Sequence, residues 1–592
     1  MSIVKDLKDE YQSIATARMP WERHWRAIAM YVLPQTEDFN SLINASTASA
    51  INAVTSTPMA ADKSKDLYDM TSLWAIERLS AGILSLKTPE TESWHNMGVD
   101  SYFGEETTHD EDIALERLRN YLFKVRANPN SGFWGSHRAA IKSMCAFGDG
   151  WQFIEEMQGD GRKRPFGYEF LPLPQCYPMV DARGRPDRMY RPLRWSAYQA
   201  AVKLGFEKCP TKVVDMANDP TRRHQMTTVM HCVLPREDGD RAGKIGNKGA
   251  AFQSHYIFPE DDHHCGESGF YEFPFIRYAW SNSGNKPFSE GPIAYALGEL
   301  KSLQEMAKNE LIASATALRP AFATAGKNFV KMNFNPGANN PGLVTPEGKP
   351  LFAPLNNGAR PDFAQAVLAA RRESVREMLY LNLWQIILQD KTDTATAALI
   401  KAQEKGEMLG PVGLSLNEGL SFMVDREVGI LGRKNAFDDG SPLAMPDSIA
   451  DRDVSPVFNS PLDRLRRMGE LVGMQRMIEF AMLMAGGDPA AAAKIMARFD
   501  IDEMLDAARE VLGAPVKMLT GKDEANEQRG QQDQMGQMMQ ALTAMKGGGE
   551  AAKAVGEGAG AMAVGTEQAM AAPALKSMVS GAQGMAGGMM QQ

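Results

Sequence analysis

Gly291-Pro292-Ile293-Ala294-Tyr295-Ala296-Leu297-Gly298-Glu299-Leu300-Lys301-Ser302-Leu303-Gln304-Glu305-Met306 opens a stretch that reads as helix as far as Arg319-Pro320. A second helical stretch runs from Pro361-Asp362-Phe363 to about Leu383. Between them, Asn333-Phe334-Asn335-Pro336-Gly337-Ala338-Asn339-Asn340-Pro341-Gly342 cannot be helical, because Pro and Gly interrupt the hydrogen-bond ladder. Each helix reaches about 30–45 Å at 1.5 Å per residue. Ala294, Ala296, Ala364, Ala366, Ala369 and Ala370 are small enough to let neighbouring helices approach closely. Two long helices carrying a compact excursion suit a structural spacer better than a catalytic pocket.

Outward from this pair, the chain alternates helical and strand-like regions. Trp21, Trp25, Ile28, Ala29 and Val32 repeat at the spacing of one helical face, and Pro34 ends it. Further helices are expected over 64–86, 110–127 and 131–147. From Gly148 to Trp280, short runs of β-branched and aromatic residues separated by Pro and Gly predict an antiparallel sheet with one helix from Ser196 to Leu204. Thr394 to Leu431 is again helical, with an interruption expected at Gly410-Pro411, where Pro411 should kink or break it. Ser460-Pro461 is a helix start signal, and that helix should reach Ala485, followed by two shorter ones ending near Leu512. Beyond Gly521 the chain is rich in Gln, Gly, Ala and Met; 525–546 retains helical character and the rest reads as a disordered or weakly held tail. Trp21, Trp25, Trp74, Trp94, Trp134 and Trp151 sit mostly at core-facing spacings and are assigned to packing.

The fold class is α+β. A chain of 592 residues exceeds one core and implies three or more domains. Lys+Arg 64 against Asp+Glu 73 gives a net charge of -9, which argues against a protein that coats nucleic acid. It leaves room for a channel through which DNA slides without being gripped. Five scattered cysteines without a C-x-x-C indicate a reduced, intracellular setting. The charged first ten residues are no signal peptide, and no apolar run approaches the roughly 18 residues of a membrane span, so a soluble protein is expected.

Fragments that imitate active sites do not hold up. Gly243-Lys244-Ile245-Gly246-Asn247-Lys248-Gly249 lacks the Gly-Lys-Ser/Thr ending of a phosphate loop and reads as a surface turn. Asp261-Asp262-His263-His264-Cys265, with His255 upstream, could offer metal ligands, but adjacent residues on an extended chain point in opposite directions. Cys145 lies among Met144, Ala146 and Phe147 and reads as an ordinary buried thiol. The expectation is a protein that is not an enzyme and needs no cofactor or metal.

The order of segments resembles the portal, or head-to-tail connector, proteins of short-tailed T7-like bacteriophages. The likeness is carried by Arg18-Met19-Pro20-Trp21-Glu22-Arg23-His24-Trp25 leading to Tyr31-Val32-Leu33-Pro34, and by Ala81-Gly82-Ile83-Leu84-Ser85-Leu86-Lys87-Thr88-Pro89 with Trp94. Further matches are Gly291-Pro292 with Leu297, Leu300, Leu303 and Met306, then Thr394-Ala395-Thr396 with Leu409-Gly410-Pro411 and Asn417-Glu418. Ser460-Pro461-Leu462, Glu479-Phe480, Asp488-Pro489 and Leu512-Gly513-Ala514-Pro515 complete the series. The family's Thr-Ala-Thr-Glu-like step reads Thr394-Ala395-Thr396-Ala397 here, so no acidic role is carried over.

The resemblance implies a mainly helical portal fold: a wing over 1–290 with antiparallel strands, stem helices over 291–319 and 361–383, and a clip over 320–360. It further implies a tunnel loop over 384–393, a kinked helix returning to the wing over 394–459, a crown over 460–520, and a C-terminal barrel helix or disordered tail over 521–592. The implied function is a ring of about twelve subunits at one capsid vertex, a channel for packaging and ejecting double-stranded DNA. Implied partners are capsid protein, terminase large subunit and tail adaptor proteins, in the virion and, during assembly, the host cytoplasm. The alternative is another virion ring or tail adaptor without a DNA-gripping role. Expected site residues are Gln389, Lys391 and Thr392 in the tunnel loop, and Phe329, Lys331, Phe334 and Phe352 at clip contacts. Arg371, Arg372 and Arg376 of the second stem helix face DNA phosphates in one reading; in the other, Arg371 and Arg376 pair with Glu373 and Glu377.

Overall fold

The N-terminal apolar stripe folds as helix α1 (Ile3–Val32), which runs through Pro20 and buries Trp25, Ile28 and Val32. The computed structural model describes residues 3–34, 67–99, 107–157, 165–237, 246–281, 284, 286–318, 322–324, 333, 343–354, 361–381, 395–450, 452–484, 495, 497–514 and 518. The chain divides into two units, 1–516 and 517–592, and of the second only Met518 is described.

Helices α2 (Thr71–Lys87), α3 (His109–Ala127) and α4 (Phe133–Phe147) follow α1. Thr108 caps α3 through a capping box with Glu111, which satisfies two backbone donors that the first turn leaves open. The strand-rich stretch then forms two antiparallel sheets. One has three strands in the order β3 (Phe166–Leu171), β2 (Asp149–Glu156), β9 (Phe275–Ala279). The other runs β4 (Tyr177–Val180), β5 (Pro186–Ser196), β6 (Met226–Pro235), β7 (Phe252–Phe258), β8 (His263–Phe270). Ser196 and Gln199 form the capping box of α5 (Ala197–Leu204), and α6 (Thr211–Asn218) follows it.

Beyond the sheets lie α7 (Pro292–Leu318), the strand pair β10 (Phe322–Thr324) and β11 (Phe352–Pro354), and α8 (Pro361–Met378). Then come α9 (Ala395–Arg433), α10 (Asp447–Ala450), β12 (Val454–Phe458), α11 (Pro461–Met484) and α12 (Ile501–Leu512). A ladder unforeseen in the sequence joins the early strand β1 (His95–Val99) to β12, with His95 opposite Phe458 and Val99 opposite Val454. One large core takes side chains from α1 to α4, β2, β3, β9 and α7 to α9. A small separate core lies under α5 and α6, and a third sets the start of α1 on Tyr177 and Tyr190 of the five-stranded sheet.

Several expectations are corrected. Pro411 does not break its helix, because α9 runs 39 residues from Ala395 to Arg433 with Pro411 inside. Proline costs a helix interior about 3 kcal/mol; here burial of Leu416, Leu420, Met423, Val424, Ile430 and Leu431 outweighs that. The second helix starts at Thr71 rather than 64, where the Asp69 carboxylate accepts the Thr71 N–H at 2.8 Å. The helix begun at Pro361 ends at Met378, before Tyr380 turns left-handed at φ 58. Trp74 is 45% exposed rather than a core residue, and Arg78 lies over its ring.

Helix α9 rests directly on β9. A Cβ at Gly419 would stand 2.3 Å from the Arg277 carbonyl oxygen. Gly419→Ala is therefore expected to destabilise the chain by about 3 kcal/mol, read as a lowered melting temperature; an unchanged melt would refute the close contact.

Candidate functional site

The segment that dominates the sequence is built as a packed helix pair. Ile293, Ala296, Leu300, Leu303 and Ala307 of α7 are buried, as are Leu368 and Val375 of α8. The antiparallel ribbon β10–β11 closes the connection, pairing Thr324 with Phe352 and Phe322 with Pro354.

Both helices are pinned by the short segment before α2. On α7, Gln304 accepts the Tyr68 and Asp69 N–H groups through Oε1 at 2.8 and 3.0 Å, and donates to the Asp69 carbonyl at 2.6 Å. On α8, Arg372 Nε donates to Asp69 Oδ2 at 2.7 Å. Burial pushes the Asp69 carboxyl up, but hydrogen bonds from Thr71 and Arg372 outweigh it and hold the group below its ordinary value. Arg371 pairs with Glu299 across to α7, and Arg376 pairs with Glu373 at 3.3 Å on its own helix. All three arginines thus have carboxylate partners within the chain, and Arg371 takes Glu299 rather than Glu373. These pairs are 39 to 43% exposed on the arginine side, so they fix geometry more than they stabilise.

Helix α9 is held by a buried polar network. Arg126 at the end of α3 donates to Glu427 from Nε at 3.1 Å and from Nη2 at 2.5 Å, with both side chains fully buried. Tyr168 donates its hydroxyl to Glu427 Oε1, and Arg126 Nη1 meets His95 Nε2 at 2.7 Å. That contact makes Nε2 the acceptor, leaving the Nδ1 proton for the Asn96 carbonyl at 3.2 Å. Burial, then the neighbouring Arg126 charge, pushes His95 well below the ordinary histidine range. One residue along, Arg426 donates to the Ile154 carbonyl at 2.9 Å from Nη2 and to the Glu272 carbonyl at 3.0 Å from Nη1. No local pattern revealed these partners.

Of the expected site residues, Gln389, Lys391 and Thr392 lie outside the described residues, as do Phe329, Lys331 and Phe334. Phe352 lies in β11, its backbone paired with Thr324. Among the candidate metal ligands, His255 Nδ1 meets His264 Nε2 at 3.0 Å, while His263 turns to the Lys208 carbonyl. Among the described residues, no three His, Cys, Asp or Glu side chains are grouped to hold a metal ion. Cys145 is fully buried, which pushes its thiol far above the ordinary range. No described helix is long and apolar enough to cross a membrane.

The family described as "Bacteriophage head to tail connecting protein" matches residues 4–519. The chain belongs to this family. Among curated relatives of this connector chain, the probable portal protein of Bordetella phage BPP-1 is 23% identical over 575 residues, covering 93% of this chain and 95% of that protein. The family match spans α1 to α12, so it takes in the packed helix pair, both sheets and α9.

Proposed function

We propose that this connector-family chain is the portal subunit of a phage head, assembling as a ring at one capsid vertex through which double-stranded DNA enters and leaves. The observation that carries the reading is the family match over 4–519, coinciding with a long helix pair whose connection closes in a ribbon. In this reading, 1–290 is the wing, α7 and α8 are the stem and 320–360 is the clip. Residues 384–393 form the tunnel loop, α9 is the helix behind it, and 460–520 is the crown. The role is structural rather than catalytic, as befits a head-to-tail connector. Capsid protein, terminase large subunit and tail adaptors are the proposed partners.

Gln389, Lys391 and Thr392 are proposed to face DNA, touching phosphates rather than bases so that the strand can slide. Because Arg371, Arg372 and Arg376 are all engaged by carboxylates, their proposed role is stem geometry first and channel charge second.

Electron microscopy of the purified protein tests the reading. Rings of about twelve subunits with an axial hole are expected. A monomer, or a ring whose centre is closed, would sink it, the latter in favour of an adaptor role.

A further inference from the structure

Where α7 leaves the sheets, the chain passes through a tight joint. Asp149 opens β2 with its side chain fully buried; Oδ1 accepts Arg277 Nε at 2.7 Å and Oδ2 accepts the Ser289 N–H at 2.6 Å. The Gly148 carbonyl accepts the Trp280 N–H at 2.9 Å and the Ser289 hydroxyl at 2.5 Å. No other residue type fits here. A Cβ on Gly148, which sits at φ +97, would stand 2.2 Å from the Ser289 oxygen, and one on Gly291 would stand 2.8 Å from Gly148 N.

The same short strand also takes the middle of α9 and the end of α8. Ser415 of α9 donates to the Ala279 carbonyl at 2.8 Å, and Gly419 lies against the Arg277 backbone. Trp280 meets the ring of Tyr380, just beyond α8, at 6.3 Å. Both members of the helix pair and α9 are therefore referenced to Arg277–Trp280.

We propose that the clasp formed by Gly148, Asp149, Arg277 and Ser289 fixes the angle between the sheet region and α7, and through that angle the number of subunits in the ring. The inference rests on the ring reading above. In a closed ring each subunit is a wedge, and about 2° of wedge angle separates twelve-fold from thirteen-fold closure. A single covalent connection tolerates far larger swings. Four hydrogen bonds, two of them to the Asp149 carboxylate, with two backbone approaches too close for a Cβ, do not. A loosened clasp lets neighbouring closures coexist.

The test uses the full chain and two variants. Ser289→Ala removes the hydroxyl bond to Gly148 yet keeps the backbone N–H to Asp149; Asp149→Asn keeps the shape and removes the charge. Ring symmetries are counted by electron microscopy, and amide exchange is followed over residues 289–294. Both variants are expected to form rings with a broader spread of symmetries than the unmodified chain. Exchange over 289–294 should quicken by at least about tenfold. An unaltered symmetry distribution alongside quickened exchange overturns the inference. If Asp149→Asn fails to fold, Ser289→Ala alone decides. An unmodified chain that forms no rings overturns the ring reading instead, and leaves the exchange arm to report on the clasp.

Discussion

Glu427→Gln lowers the melting temperature by about 4 °C, the expected consequence of losing about 3–5 kcal/mol in a unit of this length. The substitution changes shape hardly at all. It leaves the Arg126 guanidinium fully buried with a neutral amide where its counter-charge was. Bulk water cannot repay that loss, because Trp94, Phe123 and Phe133 surround the guanidinium at 4.9 to 5.7 Å. Their ring faces offer some compensation, worth about 1–2 kcal/mol for a desolvated cation, well short of a carboxylate. Tyr168 also loses its charged acceptor. The double variant Arg126→Met with Glu427→Leu removes both charges together and is expected to melt close to the unmodified chain. Thermal melts of the three proteins at one concentration decide the matter. If the double variant is as damaged as the single, the pair contributes packing rather than charge compensation.

That network also marks where sequence reading ends. The helix pair was legible because Gly291-Pro292 and Pro361-Asp362 are start signals and the apolar positions 293, 296, 300, 303 and 307 keep helical spacing. The capped starts at Ser196 and Ser460 were legible for the same local reason: their hydroxyls accept the Gln199 and Asp463 N–H groups. Pro411 misled because the cost of a proline is local while the packing that outweighs it is tertiary. Glu427 did leave a trace, as an acid inside the buried stripe 420, 423, 424, 430, 431, which demands a buried cation. Its partner stands 301 residues away and nothing local names it. The Gln304 clamp on Asp69 spans 235 residues and is equally silent. Strand β1, with Gly98 in five residues, pairs with a β12 that carries Pro456, so neither segment advertises a strand. The expected clip aromatics and tunnel-loop residues, apart from the backbone of Phe352, lie outside the described residues and rest on the resemblance alone.

Stability should fall steeply as pH drops from 7 to 5, because several histidines are buried in neutral form. His137 is stacked on Phe133 with Nε2 bonded to Thr88 Oγ1 at 3.0 Å, and burial followed by the Arg126 charge pushes it down to about 3. His231 stacks on Tyr256 at 4.3 Å and meets Ser254 Oγ at 2.9 Å. Burial, then Arg191, His255 and Lys203, brings it to about 3 as well. Burial and the facing His264 bring His255 to about 4, although Glu267 pulls the other way. The sign follows from proton uptake. Below pH 6.5 the unfolded chain protonates these rings and the folded chain does not, so their full stabilisation exists above about 6.5 and is lost as pH falls towards 3 to 4. Each histidine costs about 1.4 kcal/mol per pH unit in that window, or about 6 kcal/mol for the three together at pH 5. Glu22 and Asp149, whose carboxyls burial pushes up, take protons in the folded state and soften the lower end of the curve. Melting temperatures measured from pH 7 to 5 should drop by about 5 °C. His231→Phe keeps a ring on Tyr256 and should flatten that slope by about one quarter, because buried His95 also stays neutral beside these three. An unmodified chain that melts at the same temperature at pH 7 and pH 5 would show that these rings charge within the fold, which their packing forbids.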